Sequence, residues 1–201
     1  VANSDRPNGF VPVGTISGAN YTGLIDVAYS PAADRSSDTT NSHGDIYIGD
    51  PISISTAGAV TPADSGESCD GVAIGFGVAS SQQFGADGSI ANTAPPYDPA
   101  NLTKRYLGYL EAGFVYYVPT VDVIFEVQSA SDLDLEVGSL ADITNTAATA
   151  HGSQTTGVSS CEITTASNND VRVKDLVRRP DNDLTLANAR YRVMFETRAF
   201  V

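Results

Sequence analysis

An all-β domain is the fold class this sequence predicts, on three observations. Apolar residues recur with period two in six separate stretches. No stretch carries an apolar stripe at helical spacing over three turns. Eighteen glycines and 10 prolines, with abundant Ser and Thr, divide one stretch from the next. The chain has 201 residues, 41% of them hydrophobic, which is enough for a packed core. That length suits one β-rich domain with arms or two small domains.

The strands read in order as follows. In 45–55, Ile46, Ile48, Ile52 and Ile54 share a face, and Pro51, out of phase, puts this strand at an edge or bends it. Ala57-Gly58 then reads as a turn. In 72–78, Val72, Ile74, Phe76 and Val78 alternate with Ala73, Gly75 and Gly77. The small face there leaves room for another backbone to approach. Phe114, Tyr116 and Val118 share one side of 113–119. Val121, Val123, Phe125 and Val127 oppose Asp122, Ile124 and Glu126 in 121–128. Val171, Val173 and Val177 alternate with Arg172, Lys174 and Arg178. Tyr191, Val193 and Phe195 alternate with Arg190, Arg192 and Arg198. These are half-buried strands with one wetter face. Residues 131–138 fit either a short helix or period two.

Two stretches read as irregular. Residues 1–44 form an extended N-terminal arm and surface loop, and 45–201 form the core domain. A long loop at 79–104, with Gly85, Gly88, Pro95, Pro96 and Pro99, interrupts that core.

Charge separates along the chain. The total is 24 acidic against 11 basic residues, a net −13. Residues 36–171 hold 17 acidic and 2 basic residues, whereas 172–201 hold 7 basic and 4 acidic. The overall balance argues against a nucleic-acid partner, which needs cations to neutralise phosphates, and against an anionic membrane surface. No apolar run reaches the roughly 18 residues of a membrane helix. An acidic body with a basic end suits docking of that end onto a complementary surface, or neutralisation by cross-strand pairs within one fold.

Reactive groups are sparse. His43 and His151 sit in polar loops without metal or triad spacing. Cys69 and Cys161 are too few for a zinc site. They read as two reduced thiols, a single disulfide being the alternative. Gly71-Val72-Ala73-Ile74-Gly75-Phe76-Gly77 lacks the Lys-Ser/Thr of a phosphate loop. Asn20-Tyr21-Thr22 and Asn101-Leu102-Thr103 match the glycosylation triplet. Asp132, Asp134 and Glu136 at spacing two line one face, as a solvated edge or as a calcium or glycosidase-like carboxylate set. The aromatic platforms common in glycan-processing sites are missing from a chain with no Trp and 8% aromatics. The expectation is a protein without catalytic residues, cofactor or metal.

The punctuation of the sequence adds a resemblance. It is carried by Asp5-Arg6-Pro7-Asn8-Gly9-Phe10-Val11-Pro12-Val13, by Gly49-Asp50-Pro51-Ile52, by Gly58-Ala59-Val60 and by Gly71-Val72-Ala73-Ile74-Gly75-Phe76. Val123-Ile124-Phe125-Glu126-Val127-Gln128, Arg178-Arg179-Pro180-Asp181-Asn182 and Asn188-Ala189-Arg190-Tyr191-Arg192-Val193 continue it. In this order they resemble head decoration (cement) proteins of tailed bacteriophages, over most of the chain but not in 79–104. The resemblance implies a β-barrel or β-tulip core with an N-terminal arm, located on the capsid exterior after synthesis in the host cytoplasm. It implies the major capsid protein as partner, with no nucleic acid and no membrane. It also implies a homo-oligomer, a trimer before a dimer.

On that resemblance Arg6, Pro7, Asn8 and Phe10 are expected to lie along a capsid subunit, with Phe10 filling an apolar hollow. Arg178, Arg179, Arg190 and Arg192 are expected to meet acidic surface on a neighbouring copy or on the capsid protein, intrachain pairing being the alternative. Two other functions remain in view. One is another virion component, in the tail or at the head–tail joint; the other is a secreted carbohydrate-binding β-sandwich.

Overall fold

The computed structural model describes residues 3–18, 23, 25–30, 44–55, 60–78, 106–108, 113–145 and 152–196. The 79–104 loop, His43, His151, the Ala57-Gly58 turn, Arg198 and both glycosylation triplets lie outside the described residues. Among the described residues the fold is all-β: thirteen strands in three antiparallel sheets.

The six-stranded sheet has the order β1 (Val11–Thr15), β9 (Val123–Gln128), β13 (Arg190–Phe195), β12 (Val171–Leu176), β10 (Leu140–Ile143), β11 (Ile163–Thr165). The five-stranded sheet has the order β2 (Asp26–Ser30), β8 (Gly113–Pro119), β6 (Gly71–Val78), β4 (Pro51–Ile54), β5 (Val60–Pro62). A two-stranded ribbon pairs β3 (Ile46–Tyr47) with β7 (Tyr106–Leu107). The described strands close no barrel.

Alternation along each strand sorts the core into two clusters. Val123, Phe125, Val127, Val171, Val173, Tyr191, Val193 and Phe195 join Val72 of β6 and Val118 of β8, so this cluster lies between the two large sheets. Ile52, Ala73, Val115 and Tyr117 join Ile46 and Leu107, so the second lies between the five-stranded sheet and the ribbon. Each large side chain removed from water contributes about 1.5–3 kcal/mol toward folding, which is why the period-two pattern dictates the layers.

The pattern fails where a residue is inserted. Ile74 is an extra residue in β6, at a bulge between Ala73 and Gly75. A bulge flips the facing of everything beyond it. Val72 and Ile74 therefore pack on the first cluster and Phe76 on the second, rather than all on one face. The small residues of β6 accommodate aromatic rings of β8, not a backbone. A Cβ on Gly71 would meet Tyr117 Cδ2 at 2.1 Å, and one on Gly77 would meet Tyr116 at 3.4 Å.

Residues 45–55 are likewise two strands, not one. A turn at Gly49 sends Ile46 and Tyr47 into the ribbon, while Ile48 bridges Val158 and is 37% exposed. Pro51 opens β4, where no preceding strand N–H is needed, and β4 is flanked on both sides. Further strands open at Pro51, Val60 and Gly71. Val121 leaves the β9 alternation because the β8–β9 turn takes it out. Its neighbour Asp122 has φ 63° and Val121 is 64% exposed. Residues 131–138 form neither helix nor strand, but Leu133 and Leu135 still pack on the first cluster.

The described part of 1–44 is not an arm standing off the domain. β1 pairs with β9 and β2 with β8, each within a main sheet. Phe10 is 1% exposed, with its ring centroid 4.8 Å from that of Phe195 and 6.4 Å from that of Phe125. The close approach behind it depends on two glycines at positive φ, Gly9 (64°) and Gly49 (94°). The Phe10 N–H donates to Gly49 O at 2.9 Å, and a Cβ on Gly9 would lie 2.4 Å from that oxygen. Phe10 is therefore a core residue of its own chain and not a plug for a partner's hollow.

Candidate arginine groove

β12 and β13 run antiparallel and are joined by residues 177–189. This connection has no strand of its own, so side chains must satisfy its backbone. Asn182 does so at its base. Its Nδ2 donates to Val177 O at 2.7 Å and Arg190 O at 3.0 Å, and its Oδ1 accepts from the Arg190 N–H at 2.7 Å. Asn3 does so from the opposite end of the chain. Asn3 Oδ1 accepts from the Asp183 N–H at 2.7 Å, and its Nδ2 donates to Asp183 O at 2.8 Å and Ala187 O at 3.0 Å. Asp183 accepts in turn from the Thr185 N–H and hydroxyl, which hold its carboxyl below the usual range.

Between these braces the surface folds into two hollows that share Arg179 and Asn182. One, of about 340 Å³, is walled by Arg6, Arg179, Asn188, Arg190, Asn3 and Asp181. The other, a shallower groove of about 660 Å³, is walled by Arg178, Pro180, Asp183, Leu184 and Thr185. Arginines expected at separate contacts thus meet in the smaller hollow: Arg6 from the N-terminal segment, and Arg179 and Arg190 from the C-terminal part, with Arg178 in the adjoining groove.

Their charges are not equivalent. Glu126, with its side chain 13% exposed, pairs with Arg179 and lies 3.6 Å from Arg190. Arg190 also donates to Arg6 O at 3.2 Å. Arg192 pairs with Asp175 at 3.0 Å outside the hollows, and Arg172 pairs with Glu196 at 2.5 Å. Intrachain pairing therefore accounts for Arg179, Arg190 and Arg192. The guanidinium groups of Arg6 and Arg178, both exposed, have no partner among the described residues. Pro7 is half-buried and Asn8 exposed.

Behind the smaller hollow lies Gln128, 2% exposed. Its Oε1 accepts from the Arg6 N–H at 3.1 Å. Its Nε2 donates to Glu162 Oε1 at 2.8 Å, Asp5 Oδ1 at 3.1 Å and Asn188 Oδ1 at 3.3 Å. Burial raises the Glu162 carboxyl above its ordinary value; the Gln128 bond opposes the rise and Asp5 adds to it. The sequence marked Glu126 only as part of a wetter strand face. Nothing in sequence spacing pointed to Asn3, Asn182 or Gln128, because their partners lie far away along the chain.

The other reactive groups stand apart. Cys161 is buried in the first cluster and Cys69 packs against it; both are free thiols, pushed up chiefly by burial. Asp132, Asp134 and Glu136 are exposed. Among the described residues no three His, Cys, Asp or Glu side chains are grouped to hold a metal ion. No family model matches the chain, and neither does any curated protein or solved structure.

Proposed function

We propose that this chain is a virion structural protein that binds the outside of a tailed-phage capsid and cements neighbouring major capsid proteins. On this reading it is not an enzyme and works without cofactor, as a homo-oligomer docked on its lattice. The ordered resemblance supports it, as does one feature of the fold. The β8–β9 turn carries the chain from one large sheet to the other, and the end strands β2 and β1 lie next to β8 and β9. Two sheet edges therefore flank one turn between the sheets. Five exposed apolar residues gather on or beside them: Val11, Ile16, Ile25, Val27 and Val121. An apolar flank on a sheet edge suits docking to another protein.

The edges are also guarded. Pro12 removes a donor from β1, and the Asp26 carboxylate takes the Val27 N–H at 2.8 Å. Such devices limit unplanned strand pairing, so side-chain contact carries the docking. Arg6, Pro7 and Asn8 stay as capsid-contact candidates on this reading, and Phe10 does not. A barrel or tulip core belongs to the same resemblance, but the docking does not depend on closure.

Binding to purified shells lacking the protein tests the proposal, with Val27→Lys as the variant. Saturable binding at a fixed number of copies per shell, weakened by Val27→Lys, is expected. Density confined to the tail would replace this reading with another virion role. The carbohydrate-binding reading is weaker, since no aromatic side chain walls either hollow.

A further inference from the structure

The β8–β9 turn gathers apolar and acidic residues around itself. Val121 and Asp122 stand in the turn, both exposed. The Ile16 N–H donates to Asp122 O at 3.0 Å, which brings the end of β1 against the turn. In the other sheet Asp26 pairs in register with Tyr117 and accepts a hydrogen bond from its hydroxyl, so Ile25, Asp26 and Val27 lie at the same end. The Thr120 N–H donates to Asp70 O at 3.1 Å, and the Asp70 charge also reaches the Tyr117 hydroxyl. Ile16, Ile25, Val27 and Val121 are each at least half exposed.

The charge at this end is one-sided. Neither β1 nor any strand of the five-stranded sheet carries a Lys or Arg. β13 ends beside the start of β9, and there Glu196 is paired with Arg172. Arg198 lies outside the described residues. Wherever it sits, the carboxylates of Asp26, Asp70, Asp122 and Glu196 outnumber the guanidinium groups of Arg172 and Arg198. A second copy fits this end poorly. A two-fold contact would set it against itself and bring like charges together. For a head-to-tail contact, Arg179, Arg190 and Arg192 are already paired within the chain. Arg6 and Arg178 stand beside Asp181 and Asp183 in their hollows.

We propose that this end docks a segment of another protein whose apolar residues are flanked by Lys or Arg. The apolar side chains cover Ile16, Ile25, Val27 and Val121, and the cations reach Asp26 and Asp122. Covering the apolar residues brings the partner's rim over those two carboxylates. An acidic rim would repel them, and a neutral one would take water from them without replacing it. A basic rim pairs with charges that the chain itself leaves at the surface, so salt weakens the contact. The inference rests on the docking reading of this flank; on the capsid reading the segment belongs to the major capsid protein.

Fluorescence anisotropy on the full-length chain tests it, with one short apolar peptide flanked by lysines and the same peptide flanked by glutamates. The lysine-flanked peptide should bind at least about tenfold tighter, with the difference shrinking as salt rises from about 0.05 M to about 0.5 M. Asp26→Asn with Asp122→Asn should cut that preference about fivefold to tenfold. Asn keeps the side-chain shape and accepts the positive φ at position 122, and unchanged urea midpoints show that the variant folds. Equal binding of the two peptides, binding of neither, or a preference that survives the double substitution would overturn the proposal. Shell binding is scored separately. Saturable binding weakened by Val27→Lys but indifferent to salt and to the double substitution keeps the capsid reading and overturns this inference. A lysine preference without shell binding does the reverse.

Discussion

The Arg6 N–H donates to the side-chain oxygen of Gln128 at 3.1 Å, across 122 positions of sequence. The bond fixes the N-terminal segment to the end of β9. Because the Gln128 amide also reaches Asp5, Glu162 and Asn188, one buried side chain joins four segments. Gln128→Leu keeps the volume and strands these groups. It should cost about 1–3 kcal/mol in chemical denaturation, and residues 3–7 should become cleavable by protease. An unchanged midpoint with unchanged cleavage would show that Gln128 is not the brace.

Phe10 and Arg6 are four residues apart and should respond oppositely to truncation. Phe10 sits between Phe125 and Phe195, so Phe10→Ala leaves a cavity and should cost about 3–5 kcal/mol. Arg6 is exposed and its guanidinium has no partner among the described residues, so Arg6→Ala should stay within about 0.5 kcal/mol. Urea midpoints of the two variants check this. For the same reason, deleting the first thirteen residues removes core together with surface and cannot report on docking alone.

These two residues show where sequence reading succeeds and where it stops. Tyr191, Val193 and Phe195 were legible as core because three alternations in a row leave one phase. Phe10 stands among Gly9, Pro7 and Pro12, with too short a run to declare a face, and its burial depends on Gly49 far along the chain. The bulge at Ala73/Gly75 was illegible because an inserted Ile74 preserves the look of alternation while reversing it in space. The arginines were visible as charge. That Arg6 joins Arg179 and Arg190 depends on Asn3 and Gln128, whose hydrogen bonds leave no periodic trace.

A buried carboxylate, Asp142, and a half-buried one, Glu162, should give opposite pH signatures. Burial alone would raise the Asp142 carboxyl. The Ser167 hydroxyl and the N–H groups of Ser167, Asn168 and Asn169 donate to it and bring it below its ordinary value. Its contribution to stability is present above the unfolded value of about 3.9 and is lost as pH falls through the folded one. Asp142→Asn should therefore be destabilising at pH 7, with the deficit shrinking below about pH 4. Glu162 is raised, so its contribution is full below about 4.3 and lost as pH rises through the folded value. Glu162→Gln keeps an acceptor for Gln128 and should stabilise the protein at pH 7, with the gain vanishing below about pH 4. Urea midpoints from about pH 3 to pH 7 test both signs.

Gly71 and Gly75 lie in the same strand and differ in what stands over them. A Cβ on Gly71 would fall 2.1 Å from Cδ2 of Tyr117, a ring fixed in the second cluster with burial raising its hydroxyl above the ordinary value. The ring cannot retreat without shifting β8 or opening the packing against Ile46 and Leu107. Gly71→Ala should therefore cost at least about 1–3 kcal/mol, the range for overpacking a filled core. A Cβ on Gly75 would meet only Tyr116 Cδ2 at 3.8 Å, an ordinary contact, and the backbone there is not at positive φ. Gly75→Ala should be neutral or stabilising by up to about 1 kcal/mol, through the smaller entropy of the unfolded chain. Denaturation of the two variants side by side gives the test. Equal effects would mean that the Tyr117 ring does not hold the position on which the face-to-face packing of β6 and the ribbon depends.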